Sequence, residues 1–153
     1  MTQTDDAARI RALVDLFVEG WNRGDGMACA RPFAADADFF AVTGLKARGR
    51  DLIGRAHAEI LTTVFRGTQL ASTVEAIRFV RPDVALADVT FRLTLAEGAP
   101  FMPGRYPGQS SAGVLAVREG DAWAIVSFRN MVPFGRPTPG PVEQSLTKPT
   151  DGS

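Results

Sequence analysis

Apolar residues recur at spacings of three and four along the first third of the chain, then switch to alternation after residue 67. Ile10, Leu13, Val14, Phe17 and Trp21 form one stripe. They follow Thr4-Asp5-Asp6, which predicts an N-cap and acidic charge at the positive end of a helix, with Gly24 ending it. A short second helix is expected from Asp25 to about Ala30, stopped by Pro32. A third runs from Arg50 to Phe65, with Ile53, His57, Ile60 and Val64 on one face and Arg55, Glu59 and Thr62 turned away. Between the last two, Asp38 to Gly44 is short, aromatic and β-branched, which predicts a strand.

The alternating region predicts four more strands, over Thr68–Arg81, Val84–Ala96, Ser111–Arg118 and Ala122–Met131. Pro82-Asp83 and Glu119-Gly120-Asp121 are tight links, so neighbouring strands pair as antiparallel hairpins. On Val84–Ala96 one face carries Ala85, Ala87, Val89, Phe91, Leu93 and Leu95 and is core. The opposite face is apolar at one end, which suits packing against a second subunit. Glu97 to Gln109 is a Pro/Gly-rich loop holding Phe101, Met102 and Tyr106, of the kind that covers a site. From Pro133 onward the composition cannot build a core, and a disordered or extended tail is expected over 133–153.

Helices first and strands afterwards is the order of an α+β domain, here residues 1–132, with N-terminal helices packed on a strongly curved antiparallel sheet. Such a sheet wrapped around a long helix leaves a tapering pocket, where function is expected. The 153 residues carry 17 basic and 17 acidic groups, a balance that argues against a nucleic-acid binder. The single cysteine, Cys29, excludes a disulfide scaffold within the chain, and no signal peptide or apolar run of membrane-spanning length is evident. A cytoplasmic protein is therefore expected. One His and one Cys cannot build an ordinary zinc centre, and no phosphate-cradling loop or serine elbow is present, so neither metal nor cofactor is implied.

Three runs carry a resemblance: Trp21-Asn22-Arg23-Gly24-Asp25, Phe33 through Phe39, and Gly49-Arg50-Asp51-Leu52-Ile53 with His57 beyond it. They resemble the nuclear-transport-factor-2-like superfamily, also called SnoaL-like or cystatin-like. Phe65-Arg66-Gly67-Thr68, Ile77-Arg78, Pro82-Asp83-Val84-Ala85 and Trp123 through Asn130 are similar to its SgcJ/EcaC branch. The resemblance covers roughly residues 5 to 132 and implies a cone-shaped α+β barrel, a homodimer and an apolar cavity. It also implies a link to polyketide, including enediyne, antibiotic biosynthesis. The superfamily's ketosteroid isomerases have a Tyr where this chain has Phe17 and a general-base Asp where it has Ala41. A phenyl ring and a methyl group supply neither function, so that mechanism does not carry over.

Two residues are candidates for chemistry. His57, the sole imidazole, lies on an apolar stripe. It serves either as an acid or base tuned by a carboxylate such as Asp38, or as a core histidine bonded to a backbone carbonyl. Asp38 in turn is either that partner or the partner of a cation such as Arg50. Phe17, Trp21, Phe39, Phe65, Phe91 and Phe128, with Ala41, are expected to wall a pocket for a small apolar molecule. Asn130 and Arg129 face opposite ways on the last strand: Asn130 inward would address a carbonyl, Arg129 inward an anion. The expected function is an accessory protein holding an apolar intermediate. The alternative is a cyclase, isomerase or dehydratase using His57 and Asp38.

Overall fold

A computed structural model describes residues 2–95, 97–98 and 108–132. The loop expected over 97–109 therefore falls largely outside the described residues, as does the tail over 133–153. The helices are α1 (Gln3–Asn22), α2 (Gly26–Ala30) and α3 (Arg50–Thr62). The strands are β1 (Phe33–Phe40), β2 (Lys46–Arg48), β3 (Gln69–Arg81), β4 (Val84–Thr94), β5 (Gln109–Glu119) and β6 (Ala122–Met131). They form one six-stranded sheet in the order β2-β1-β6-β5-β4-β3. Every pairing is antiparallel except β1 with β6, which is parallel. The chain is thus an α+β domain with its helices on one face of a curved, mostly antiparallel sheet. No helix among the described residues is long and apolar enough to cross a membrane.

Several boundaries move from their sequence positions for physical reasons. α1 is capped by Thr2 rather than Thr4: the Thr2 hydroxyl accepts from the Asp5 N–H, and the Asp5 carboxylate accepts from the Thr2 N–H. Asp6, expected as a dipole charge, is buried instead and accepts the Trp123 indole N–H at 2.8 Å, tying α1 to β6. β1 begins at Phe33, not Asp38, because Phe33 is core and the chain runs on beside β6 with an irregularity before Asp38. α3 stops at Thr62, so Val64 leaves the buried stripe and is 54% exposed.

The β4 pattern is found as alternation predicts. Ala85, Ala87, Val89, Phe91 and Leu93 are buried, while Val84, Leu86, Asp88, Thr90, Arg92 and Thr94 lie on the side away from the helices. Further irregularities in the β3–β4 and β5–β6 ladders bend the sheet over the helical layer.

α2 is a five-residue spacer whose backbone touches both neighbours. A Cβ built on Gly20 would stand 2.4 Å from the Cys29 nitrogen, and one on Gly26 would stand 2.0 Å from the Ala58 nitrogen. Both positions require hydrogen in place of a side chain. That approach sets how deeply α3 is seated. Gly26→Ala is expected to destabilise the fold by about 2–3 kcal/mol by forcing α2 and α3 apart. Urea denaturation checks this, and an unchanged midpoint would contradict the close approach.

Candidate functional site

α3 presents Leu52, Ala56, His57 and Ile60 along one side. This stripe faces the end of β1, the turn after it and β2, which contribute Phe39, Ala41, Leu45 and Ala47. Val64 and Phe65, just beyond α3, complete the wall. Between them lies a cavity of about 590 Å³. That is within the range of small-molecule sites. Three of the described lining residues carry polar side chains. Thr43 and Lys46 are exposed at the rim, and His57 is buried at 3% exposure.

The cavity opens among aliphatic side chains that have no cover among the described residues. Leu45 is 73% exposed, Leu52 44% and Val64 54%. Exposed apolar groups clustered at one opening mark a place where something apolar enters or docks.

His57 is held by rings on three sides. Phe39, Phe17 and Trp21 meet it edge to face at centroid distances of 4.8, 5.4 and 6.1 Å. Its Nδ1 lies 2.8 Å from the Ile53 carbonyl one turn back on α3. A carbonyl only accepts, so Nδ1 carries the proton and Nε2 is left with a lone pair. Nε2 has no hydrogen-bond partner among the described residues. Burial among hydrocarbon pushes the imidazole pKa below its ordinary value, and the Ile53 carbonyl opposes this only in part. His57 is therefore neutral near pH 7.

The carboxylate expected beside this imidazole is absent from it. Asp38 and Phe39 are consecutive on β1 and point to opposite faces. Phe39 takes the face toward His57, so Asp38 takes the other. There Asp38 accepts a hydrogen bond from Ser127 Oγ, and Arg129 Nη2 lies 4.0 Å away. Arg129 also stacks over Phe40, 4.1 Å from the ring centroid. Arg50 is not the partner of Asp38: its Nη1 donates to the Phe33 carbonyl. The pairing of His57 with Asp38 is therefore corrected, and Asp38 belongs to the outer face of the sheet.

Of the expected wall, Phe39, Ala41 and Phe65 line the cavity. Trp21 helps line a separate depression of about 220 Å³, and its indole N–H donates to Thr68. Phe17, Phe91 and Phe128 do not line the main cavity. They fill the space beneath the sheet as core, with Phe128 5.2 Å from Phe17, 5.6 Å from Phe91 and 4.7 Å from Phe39. The hollow expected under the sheet is thus solid aromatic packing, and the open volume lies to one side. Alternation cannot separate core rings from lining rings, because both face inward. Sequence reasoning missed Leu45 and Leu52; the signal available for Leu52 was its place one turn before Ala56 on α3.

Asn130 opposes the buried Ala112 across β5–β6, so it faces inward and Arg129 outward. Its buried Oδ1 has no hydrogen-bond partner. Continuing the parallel β1–β6 register by one step past Phe40 and Arg129 sets Asn130 beside Ala41 of the cavity. Cys29 is buried and its thiol is pushed up to about 12, first by desolvation and then by Asp25, which leaves it unreactive. Among the described residues no cluster of His, Cys, Asp and Glu could hold a metal ion.

No protein-family model and no curated relative matches the chain. Solved structures do. A domain of unknown function with a cystatin-like fold from Nostoc punctiforme is 29% identical at a TM-score of 0.76, over 95% of this chain and 84% of that one. An uncharacterised cystatin-like protein from Caulobacter vibrioides is 26% identical at a TM-score of 0.70, over 82% of this chain and 88% of that one. A Novosphingobium aromaticivorans protein assigned by name as a scytalone dehydratase is 17% identical at a TM-score of 0.68, over 90% of this chain and all of that one. The chain has the cystatin-like fold.

The depressed imidazole pKa makes stability depend on pH. The unfolded chain binds a proton at the ordinary histidine value of about 6.5, and the folded chain resists it. Stability is therefore full above that value and is lost as pH falls below it. His57→Phe should flatten the loss between about pH 7 and 5.5 in urea unfolding series. An equal slope in both proteins would place the effect elsewhere.

Proposed function

We propose that this protein binds an apolar small molecule in the cavity between α3 and the β1–β2 region. The observation that carries this reading is the cavity itself: about 590 Å³, walled by hydrocarbon, with one buried polar side chain among its described lining residues. Asn130 would add a second polar contact near Ala41. The resemblance to the SgcJ/EcaC branch supports the finer reading of an accessory protein in polyketide, including enediyne, biosynthesis, acting in the cytoplasm on an apolar intermediate.

Holding is favoured over catalysis because, among the described residues, the cavity offers one buried proton acceptor and no acid opposite it. A cyclase, isomerase or dehydratase needs a proton delivered as well as removed. Asp38, the carboxylate that would have shared this work, lies across the sheet.

We further propose that a second copy packs on the outer sheet face. Leu86 opposes Leu115 and Val84 opposes Val117 there, all half-buried, and Met131, opposite Ser111 at the other end of β5, is 60% exposed. Sedimentation velocity should give a dimer that Leu86→Arg with Leu115→Arg converts to monomer. A monomeric parent protein would end this part of the proposal.

The cavity reading is tested by filling it. Ala41→Trp should weaken binding of 8-anilinonaphthalene-1-sulfonate at least about tenfold in a fluorescence titration, and native mass spectrometry of the parent protein should show a retained small molecule. Unchanged affinity in a folded Ala41→Trp protein would move the site elsewhere.

A further inference from the structure

We infer that the cavity takes apolar molecules that present a hydroxyl or N–H donor to His57, and disfavours those that present an ether, ketone or carboxylate there. This rests on the reading of the cavity as an apolar ligand site and adds the functional group that the site demands.

Three observations carry the inference. The Nδ1 proton is committed to the Ile53 carbonyl at 2.8 Å. Turning the ring over about Cβ–Cγ would keep its plane among Phe17, Trp21 and Phe39 but would give up the Nδ1–H bond and set a C–H against the Ile53 carbonyl. Nε2 therefore meets any occupant as an acceptor only.

The second observation is the absence of a competing partner. Nε2 has none among the described residues, and the side chains packed around the ring from α1 and β1 are hydrocarbon or indole. A donor on the ligand therefore meets an acceptor that no side chain among the described residues already occupies. An ether or ketone at the same place brings two acceptors together and leaves both unpaired.

The third is charge. Among the described lining residues His57 is the only buried polar side chain, and the one cation, Lys46, stands on the rim. Its Nζ lies 4.9 Å over the Phe40 ring, and Lys46 opposes Phe40 across β1–β2, so it belongs to the outer side of the sheet. A carboxylate drawn to His57 would lose its water and meet the lone pair of a neutral imidazole. Phenols, alcohols and amide N–H groups on a hydrocarbon frame fit all three conditions.

The test uses four ligands of one shape: 1-naphthol, 2-naphthol, 1-methoxynaphthalene and 1-naphthoate, titrated calorimetrically into the full chain. At least one naphthol should bind about tenfold more tightly than the methyl ether, and the naphthoate more weakly than either naphthol. His57→Phe, which keeps a ring and removes the acceptor, should erase the difference between naphthol and ether. Because the chain has one histidine, 15N-histidine labelling reports a single imidazole without any substitution. The free protein should show Nδ1 protonated and Nε2 bare, and Nε2 should shift with the naphthol and not with the ether.

Equal binding of naphthols and ether, or an Nε2-protonated ring, overturns the donor selection and leaves the apolar site standing. Failure of all four to bind, together with failure of 8-anilinonaphthalene-1-sulfonate, removes the site and the selection together.

Discussion

A single row of rings runs through the molecule and fixes everything around it. Phe91 on β4, Phe128 on β6, Phe39 on β1 and His57 on α3 succeed one another at centroid distances of 5.6, 4.7 and 4.8 Å. The row joins three strands that are neither consecutive nor all antiparallel to a helix on the sheet's inner face. Each such pair contributes about 0.5–1.5 kcal/mol beyond the burial of its area. Its larger consequence is geometric, because a ring held on three sides has one direction left in which to present its polar edge. The imidazole ends the row, and that edge borders the cavity.

The same packing explains where the cavity lies. A curved sheet wrapped over a long helix encloses space, and in this chain Phe17, Phe33, Phe91 and Phe128 occupy it. The cavity of about 590 Å³ lies beyond the row, where β1 gives way to the Ala41–Leu45 turn and the short β2. There α3 stands over small side chains such as Ala41 and Ala47 rather than over rings. The close backbone contacts at Gly20 and Gly26 seat α2 and α3 and so help to set the width of the gap.

Much of the architecture was legible because period is a local property. The stripe on α1, the hairpins flanking β4 and the two faces of that strand all follow from spacing. The start of β1 was not legible, since Phe33-Ala34-Ala35-Asp36-Ala37-Asp38 has no strong strand pattern and its pairing with β6 spans most of the chain. Nor could sequence reveal that Phe128 is core while Phe65 is lining, because both are inward aromatics and the distinction depends on what fills the space opposite. The facing of Asn130 needed only the β5–β6 register, which a sequence does not supply.

The failed pairing of Asp38 with His57 shows how strand parity sorts chemistry. One residue of offset on β1 sends the carboxylate to Ser127 and Arg129 on one side and the phenyl ring to His57 on the other. Arg129 is more than half exposed, so its contact with Asp38 adds little to stability. What Asp38 changes is the side it leaves. With the carboxylate gone from the inner face, the Ile53 carbonyl is left to favour an imidazolium, and desolvation outweighs it. A histidine in that position is not a strong base held ready by an acid. It is a neutral acceptor at the margin of hydrocarbon, and the ligands it can recognise are those that bring their own proton to the bond.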